Sequence, residues 1–345
     1  VAENEDVLVT VENGVGLITL NRPKAINSLT HPMVNAMSPV LRDWDRNDDI
    51  SAVVVDGAGE RGLCAGGDLV ALHHSARADG SEARQFWYDE YVLNAQIGRF
   101  SKPYVALMDG IVMGGGVGVA VHGSVRVVTD TTKMAMPEVG IGLIPDVGGT
   151  LILSRAPGLL GLHAALTGAP FGAPDAIAMG FADHFVPHDT IAEFKRSVIT
   201  DGIDAALSAH AVESPPSPLL AERNWIDECF AGDTVEDIVA ALRGHDAGPA
   251  NDAANLIATR SPISLCVALE AIRRAAKLDT LEDVLRQEYR TSSACSQSHD
   301  FVEGTRAMVI DKDRNPKWSP ASLAAVTTAD VEAYFAPADR ELEFS

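Results

Sequence analysis

Residues 104–118 read YVALMDGIVMGGGVG. The apolar run from Tyr104 to Met108 has the length of a buried strand and stops at Asp109-Gly110, a turn pair. The glycines of Met113-Gly114-Gly115-Gly116-Val117-Gly118 then stand after a second apparent strand and before a helical pattern. Cys64-Ala65-Gly66-Gly67-Asp68 has the same setting, downstream of a short β-branched run at Ala52 to Val55. Strand, glycine-rich turn, helix and strand recur in this way through the first 190 residues. The fold class this predicts is α/β, with the chemistry on loops at strand ends.

Working outward, VLVTVENGVGLITL at residues 7–20 sets two strand patterns around Asn13-Gly14, the pair best suited to the positive φ angles of a two-residue hairpin turn. Thr30 is placed to cap a helix through Asp45, with Met33, Met37, Val40, Leu41 and Trp44 at helical spacing and Pro39 as a kink point. Helical periodicity returns over residues 81–100, and residues 125–129 fit a strand. Beyond Val186 the patterns are mostly helical, with breaks at the proline-rich residues 214–218 and at residues 244–252. The expected organisation is a core over 1–190 and a mainly helical region over 191–345. Neither internal repeats nor low-complexity tracts occur.

A chain of 345 residues, 46% apolar and 22% charged, can bury a sizeable core. No run approaches the roughly 18 to 20 apolar residues of a membrane span, and acids stand at the start where a leader would carry cations, so a cytoplasmic protein is expected. The net charge of −21 argues against nucleic acid or an anionic membrane as partner. Four cysteines, at 64, 229, 266 and 295, form no C-x-x-C pair and read as free thiols in a reducing compartment.

Glycine lets backbone approach a ligand closely, and the first turn of a helix offers unpaired N–H donors at its positive end. Two such donors on one thioester oxygen make an oxyanion hole, worth about 3 to 4 kcal/mol per donor. The alternative is that these glycines serve only tight turns and close packing. A dinucleotide site fails on spacing, since Val119 stands where the third glycine of G-x-G-x-x-G belongs, and there is no Walker-type phosphate loop. In residues 136–149, MPEVGIGLIPDVGG, Glu138 and Asp146 sit among apolar and glycine residues. Acids in such surroundings have raised pKa values suited to proton transfer, although a helix-capping Asp146 and a surface Glu138 are the plainer reading. There is no G-x-S-x-G elbow around Ser124 or elsewhere. His73-His74 lacks a third ligand at recognisable spacing, so no metal is expected, and His122 and His299 read as structural.

The order of N-R-P-K-x-x-N-S-L at residues 21–29, C-A-G-G-D at Cys64, K-P-Y-V-A-L at Lys102, M-G-G-G-V-G at Met113, M-P-E at Met136 and P-D-V-G-G-T at Pro145 resembles the crotonase (enoyl-CoA hydratase/isomerase) superfamily over nearly the whole chain. The resemblance implies a crotonase-like spiral of ββα units with a helical C-terminal region. It also implies an acyl-CoA substrate, an oxyanion hole from the amides of Gly67 and Gly115, and no cofactor beyond the coenzyme A of the substrate itself. Arg22, Lys24 and Ala65, with Lys102 and Arg61 nearby, match CoA-binding segments, while solvated surface charge is the alternative for the cations. A homo-oligomer is left open.

Hydratases of this superfamily use two glutamates, and at the position of the first this chain has Gly118. Asp146, Glu90 and the tail segments Q-E-Y-R at Gln287 and H-D-F-V-E-G-T-R-A at His299 are instead similar to the hydrolase branch. That likeness implies cleavage of 3-hydroxyisobutyryl-CoA to 3-hydroxyisobutyrate and CoA in valine breakdown, with substrate contacts at Glu90, Gly115, Glu138 and Asp146. Glu138 would act as nucleophile or general base. Asp146 would orient the substrate hydroxyl or assist proton transfer to the leaving thiolate. Glu90 would bind the 3-hydroxyl end or form an ion pair. The competing expectations are a single-glutamate enoyl-CoA hydratase or isomerase, and a non-catalytic CoA-binding protein.

Overall fold

In a computed structural model of the chain, residues 5–344 are described. The elements run β1 (Val7–Glu12), β2 (Val15–Leu20), α1 (His31–Arg46), β3 (Ala52–Gly57), α2 (Leu69–Arg77), α3 (Ser81–Gly98), β4 (Tyr104–Met108), β5 (Ile111–Met113), α4 (Gly115–Gly118), β6 (Val125–Val128), β7 (Lys133–Ala135), α5 (Gly149–Arg155) and β8 (His184–Phe185). Two helices, Leu160–Thr167 and Ala173–Ala178, lie between α5 and β8, and no further strand follows among the described residues. The mixed α/β class with a helical C-terminal region is therefore as expected.

The chain forms two compact units. The first takes the chain up to Gly67, then Val92–Met134 and Phe171–Ser217; the second takes Asp68–Tyr91, Ala135–Pro170 and everything from Pro218 onward. Helix α3 runs from one into the other. The division expected at residue 190 falls inside the first unit, because the helices Ile191–Thr200 and Ile203–His210 supply Phe194, Val198 and Ala206 to the apolar core of the sheet.

That sheet has six strands in the order β1-β2-β3-β4-β6-β8. Asn13 (φ 49°) and Gly14 (φ 77°) both adopt the left-handed conformation that a two-residue hairpin requires, so β1 and β2 pair antiparallel, Val7 opposite Leu20. From β2 onward every pairing is parallel. Parallel strands put their carboxyl ends at one edge, and the loops leaving β3 and β4 there lead to the two glycine segments. Strands β5 and β7 pair separately. Helix α1 is capped as expected, the Thr30 hydroxyl accepting from the Met33 amide at 3.3 Å, and buries Met33, Met37, Val40, Leu41 and Trp44. The Trp44 ring would lie only 2.4 Å from a Cβ at Gly16, so β2 carries glycine where the helix crosses it.

The second unit is helical. Trp87 on α3 packs against Phe301 at 5.7 Å between ring centroids, and Tyr88 and Tyr91 both meet Tyr289 of the helix Leu281–Cys295 edge-on. The break expected over 244–252 is shorter, because Gly248 and Pro249 begin the helix Gly248–Ile257; proline fits a first turn, where its missing N–H is not needed. Among the described residues no single helix is long and apolar enough to cross a membrane. All four cysteines are free thiols.

Phe194 is fully buried among Val54, Val105, Leu107 and Val127. Phe194→Ala is expected to lower unfolding stability by about 3 to 5 kcal/mol, measured by urea titration. A loss below about 1 kcal/mol would show that the helices over the sheet are dispensable to its core.

Candidate active site

The first unit brings the two glycine turns side by side. Residues Cys64 and Val112 form a parallel bridge, with the Cys64 amide on the Ile111 carbonyl (3.1 Å) and the Met113 amide on the Cys64 carbonyl (3.0 Å). A Cβ at Gly116 would lie 2.4 Å from the Cys64 carbonyl oxygen, so only glycine allows this approach. At Gly66 (φ 109°) a Cβ would fall 3.9 Å from the Gly115 nitrogen, which sets the 64–67 turn against the start of α4. The N-R-P-K-x-x-N loop braces this turn from behind. The Leu29 amide donates to Gly66 and the Ala65 amide to Ile26, while the buried Asn27 side chain donates to the carbonyls of Ala58 and Gly62. None of these bonds uses the amides of Gly67 or Gly115. Helix α4 is a four-residue turn, shorter than the helical pattern suggests.

The cations read from sequence have varied settings. Arg22 donates to the Ser28 carbonyl at 2.6 Å, within its own loop, and Lys24 is exposed. Lys102 closes the C-terminal end of α1 through the carbonyls of Trp44 (2.6 Å) and Asn47 (2.5 Å). Arg61 is exposed and Ala65 half-buried.

The carboxylates gather in the second unit. Glu138 opens a short 3-10 turn, Glu138–Gly140, that is held on several sides. The amides of Ile141 and Leu143 both donate to the Glu138 carbonyl, and the Ser261 amide donates to Val139. Gly142 (φ 74°) presses on the backbone of Asp300, where a Cβ would come within 2.1 Å of the carbonyl. Ser261 in turn donates to Asp300 at 2.6 Å. The Glu138 side chain is 4% exposed, and its Oε2 has no hydrogen-bond partner. Glu90 on α3 is 2% exposed, and its Oε1 is likewise unpartnered. The surface Glu138 of the plainer reading is thus not what forms.

Asp146 is also buried, and it is not a helix cap. Its Oδ2 accepts from the Tyr91 hydroxyl at 2.6 Å, and Tyr91 also meets the Ser292 hydroxyl at 2.7 Å. Capping of α5 falls to Glu288, whose carboxylate takes the Gly148 amide (2.6 Å), the Thr150 amide (3.0 Å) and the Thr150 hydroxyl (2.5 Å). Between them Val147 sits at φ 55°, a strained conformation for a β-branched residue. Burial pushes Glu90 and Glu138 well above the usual carboxyl range, and the neighbouring Asp146 charge pushes both the same way. Burial raises Asp146 to about 7 despite the Tyr91 hydrogen bond, and Glu288 to about 8 despite its donors. Carboxyls gathered in a buried site oppose one another's ionisation, which adds to the upward shift of Glu90, Glu138 and Glu288.

Tyr91 and Ser292 are not among the residues expected at the site, and Glu288 stands only within the Q-E-Y-R segment, with no role attached. Tyr91 adjoins Glu90, and Glu288 and Ser292 recur at helical spacing on Leu281–Cys295, yet nothing local ties that helix to residues 146–150. Of the histidines, His73 is buried on the Thr305 hydroxyl (2.8 Å), and His299 lies on Asp300 (3.0 Å). Among the described residues no group of three or more His, Cys, Asp or Glu side chains is arranged to hold a metal ion.

An enoyl-CoA hydratase/isomerase family model matches residues 15–335, and the chain belongs to that family. A mitochondrial 3-hydroxyisobutyryl-CoA hydrolase of Danio rerio is 40% identical over 97% of this chain and 90% of its own length. A crystal structure described as a carnitinyl-CoA dehydratase from Mycobacterium thermoresistibile is 71% identical, with a TM-score of 0.97 over 99% of each chain. One described as an enoyl-CoA hydratase from Rhodobacter sphaeroides is 38% identical, with a TM-score of 0.93 over 98% of this chain and 100% of its own.

An acid whose folded pKa is raised stabilises the fold fully only while it is protonated in both states, and that stability is lost as pH rises toward the folded value. Glu288 and Asp146 therefore predict a falling unfolding midpoint between pH 6.5 and 8. His163, buried and lowered to about 4, acts below that window, while the raised His188 adds in the same direction within it. Glu288→Gln isolates the buried acid: calorimetry should find a shallower fall in the variant, and parallel curves would exclude Glu288 as a source.

Proposed function

We propose that the chain hydrolyses the thioester of an acyl-coenzyme A, with 3-hydroxyisobutyryl-CoA in valine breakdown as the substrate. The observation that carries this is the pairing of buried Glu138, one oxygen of which has no partner, with an Asp146 held by a tyrosine and raised to about 7. The hydrolases among its relatives support the same reading. The Gly67 and Gly115 amides take the thioester oxygen and stabilise the charge that gathers on it as the carbonyl carbon becomes tetrahedral. Glu138 supplies the electron pair, by attacking that carbon or by taking a proton from the water that attacks it. Both routes need an oxygen not committed elsewhere, which Glu138 Oε2 offers once the carboxyl has ionised. Collapse of the adduct breaks the carbon–sulfur bond, and Asp146 delivers a proton to the departing thiolate. Water supplies the new acid's hydroxyl, directly where Glu138 acts as base and by opening the acyl–Glu138 anhydride where it acts as nucleophile. Glu90 receives the 3-hydroxyl of the acyl group.

Carbon–oxygen lyase chemistry is the second reading, favoured by the dehydratase description of the 71% identical structure. Against it stands Gly118, fully buried and unable to supply the glutamate that hydratases carry there. The compartment we propose is the cytoplasm, a reducing one in keeping with the free thiols; the vertebrate relatives carry mitochondrial names.

Purified protein should release free thiol from 3-hydroxyisobutyryl-CoA, and Glu138→Gln should lower kcat at least about a hundredfold with folding intact. Formation of an enoyl-CoA from carnitinyl-CoA, with no thiol released from either substrate, would replace hydrolysis by dehydration. Because Glu138 must ionise and burial raises it, kcat/KM should fall as the pH is lowered.

A further inference from the structure

The site contains a hydroxyl pair that the mechanism above does not use. Tyr91, Asp146 and Ser292 are all buried, at 0%, 4% and 0% exposure, and the Tyr91 oxygen lies 2.6 Å from Asp146 and 2.7 Å from Ser292. The phenol has one proton and gives it to Asp146 Oδ2, which leaves the other Asp146 oxygen to carry the acid's own proton; the phenol oxygen then accepts from Ser292. Donation from Ser292 polarises the phenol and strengthens its bond to the carboxylate. The Tyr91 ring is fixed independently by its edge-on contact with Tyr289, one turn before Ser293 on the same helix.

The surroundings give this bond a task. Asp146 precedes the strained Val147, and Glu288 grips the chain only from Gly148 onward. Glu138 and Glu90 stand near Asp146 with oxygens that no partner restrains. Without the phenol, nothing would hold the Asp146 carboxyl against these acids, and it would turn out of the orientation it has here. We propose that Tyr91, backed by Ser292, is a positioning residue that fixes the Asp146 carboxylate in the orientation its proton transfer requires. The inference rests on the reading of Asp146 in the proposed reaction, but its hydrogen-bond content does not.

Two measurements on the full chain separate these. In substrate-free protein, difference infrared spectra across pH follow the protonated carboxyls. The groups that face the pair are Glu90, Glu138, Asp146 and Glu288 and the Cys295 thiol. Tyr91→Phe is expected to move one carboxyl titration to higher pH, and unchanged spectra would overturn the proposal whatever the enzyme's substrate. In turnover, Tyr91→Phe should lower kcat about tenfold or more through lost orientation, with KM nearly unchanged and the alkaline limb of kcat, set by ionisation of Asp146, shifted upward. A purely structural tyrosine would lower the unfolding midpoint and leave that limb in place, which overturns the positioning role. Ser292→Ala, which keeps the ring, should shift both readouts in the same direction by less. If Tyr91→Phe does not fold, Ser292→Ala decides, and wild-type behaviour in it overturns the proposal. Wild-type protein that frees no thiol while the infrared shift is present overturns the reaction and leaves the positioning bond standing.

Discussion

Glu288 binds the start of α5 with a carboxylate that is completely buried. Two amides and a hydroxyl converge on it, and the helix end they belong to follows a valine in the left-handed region. An unsatisfied helix terminus in a dry interior is costly, and so is an unpaired carboxylate; each is tolerable here because it meets the other. The turn that carries Asp146 depends on this grip. Without it, Val147 would relax to an ordinary backbone conformation and carry Asp146 with it.

Once that turn is held, the carboxyls around it acquire unequal surroundings. Glu288 is saturated by donors, Asp146 has the Tyr91 hydroxyl, and Glu138 and Glu90 each keep an oxygen without a partner. Unequal surroundings assign unequal roles to groups of the same chemistry: a saturated carboxylate braces, a singly held one shares a proton, an unrestrained one is available to substrate. Burial acts on all of them in the same direction, so what distinguishes them is the donors they meet.

The glycine turns follow a different logic. There the chemistry lies in backbone, and side chains matter by their absence or as braces. Gly116 admits the Cys64 carbonyl, and Asn27 ties the loop of residues 21–29 to the strand end at residues 58–62, which explains why the N-R-P-K-x-x-N segment accompanies the glycines in sequence. Lys102, attractive as a phosphate contact on charge alone, closes the end of α1 instead.

Much of this was legible in the linear chain. The Asn13-Gly14 hairpin, the Thr30 cap, the strand Tyr104–Met108 and the glycine turns follow from local rules, in which a residue's own φ preference, hydrogen-bonding group or spacing suffices. Apolar surroundings drew notice to Glu138 and Asp146, and the resemblance to the crotonase superfamily is what placed them at the site. The sequence could not reveal that Asp146 accepts from a tyrosine 55 positions earlier, or that a glutamate 138 positions after Thr150 caps its helix. It also could not reveal that the helices after residue 190 complete the core of the sheet. Those outcomes depend on which helix packs on which turn, a choice made by burial summed over the whole chain and carried by no local pattern. Sequence determined the kinds of groups present and the local shapes that carry them; tertiary packing decided which carboxyl each donor would reach, and so which acid is left free to act.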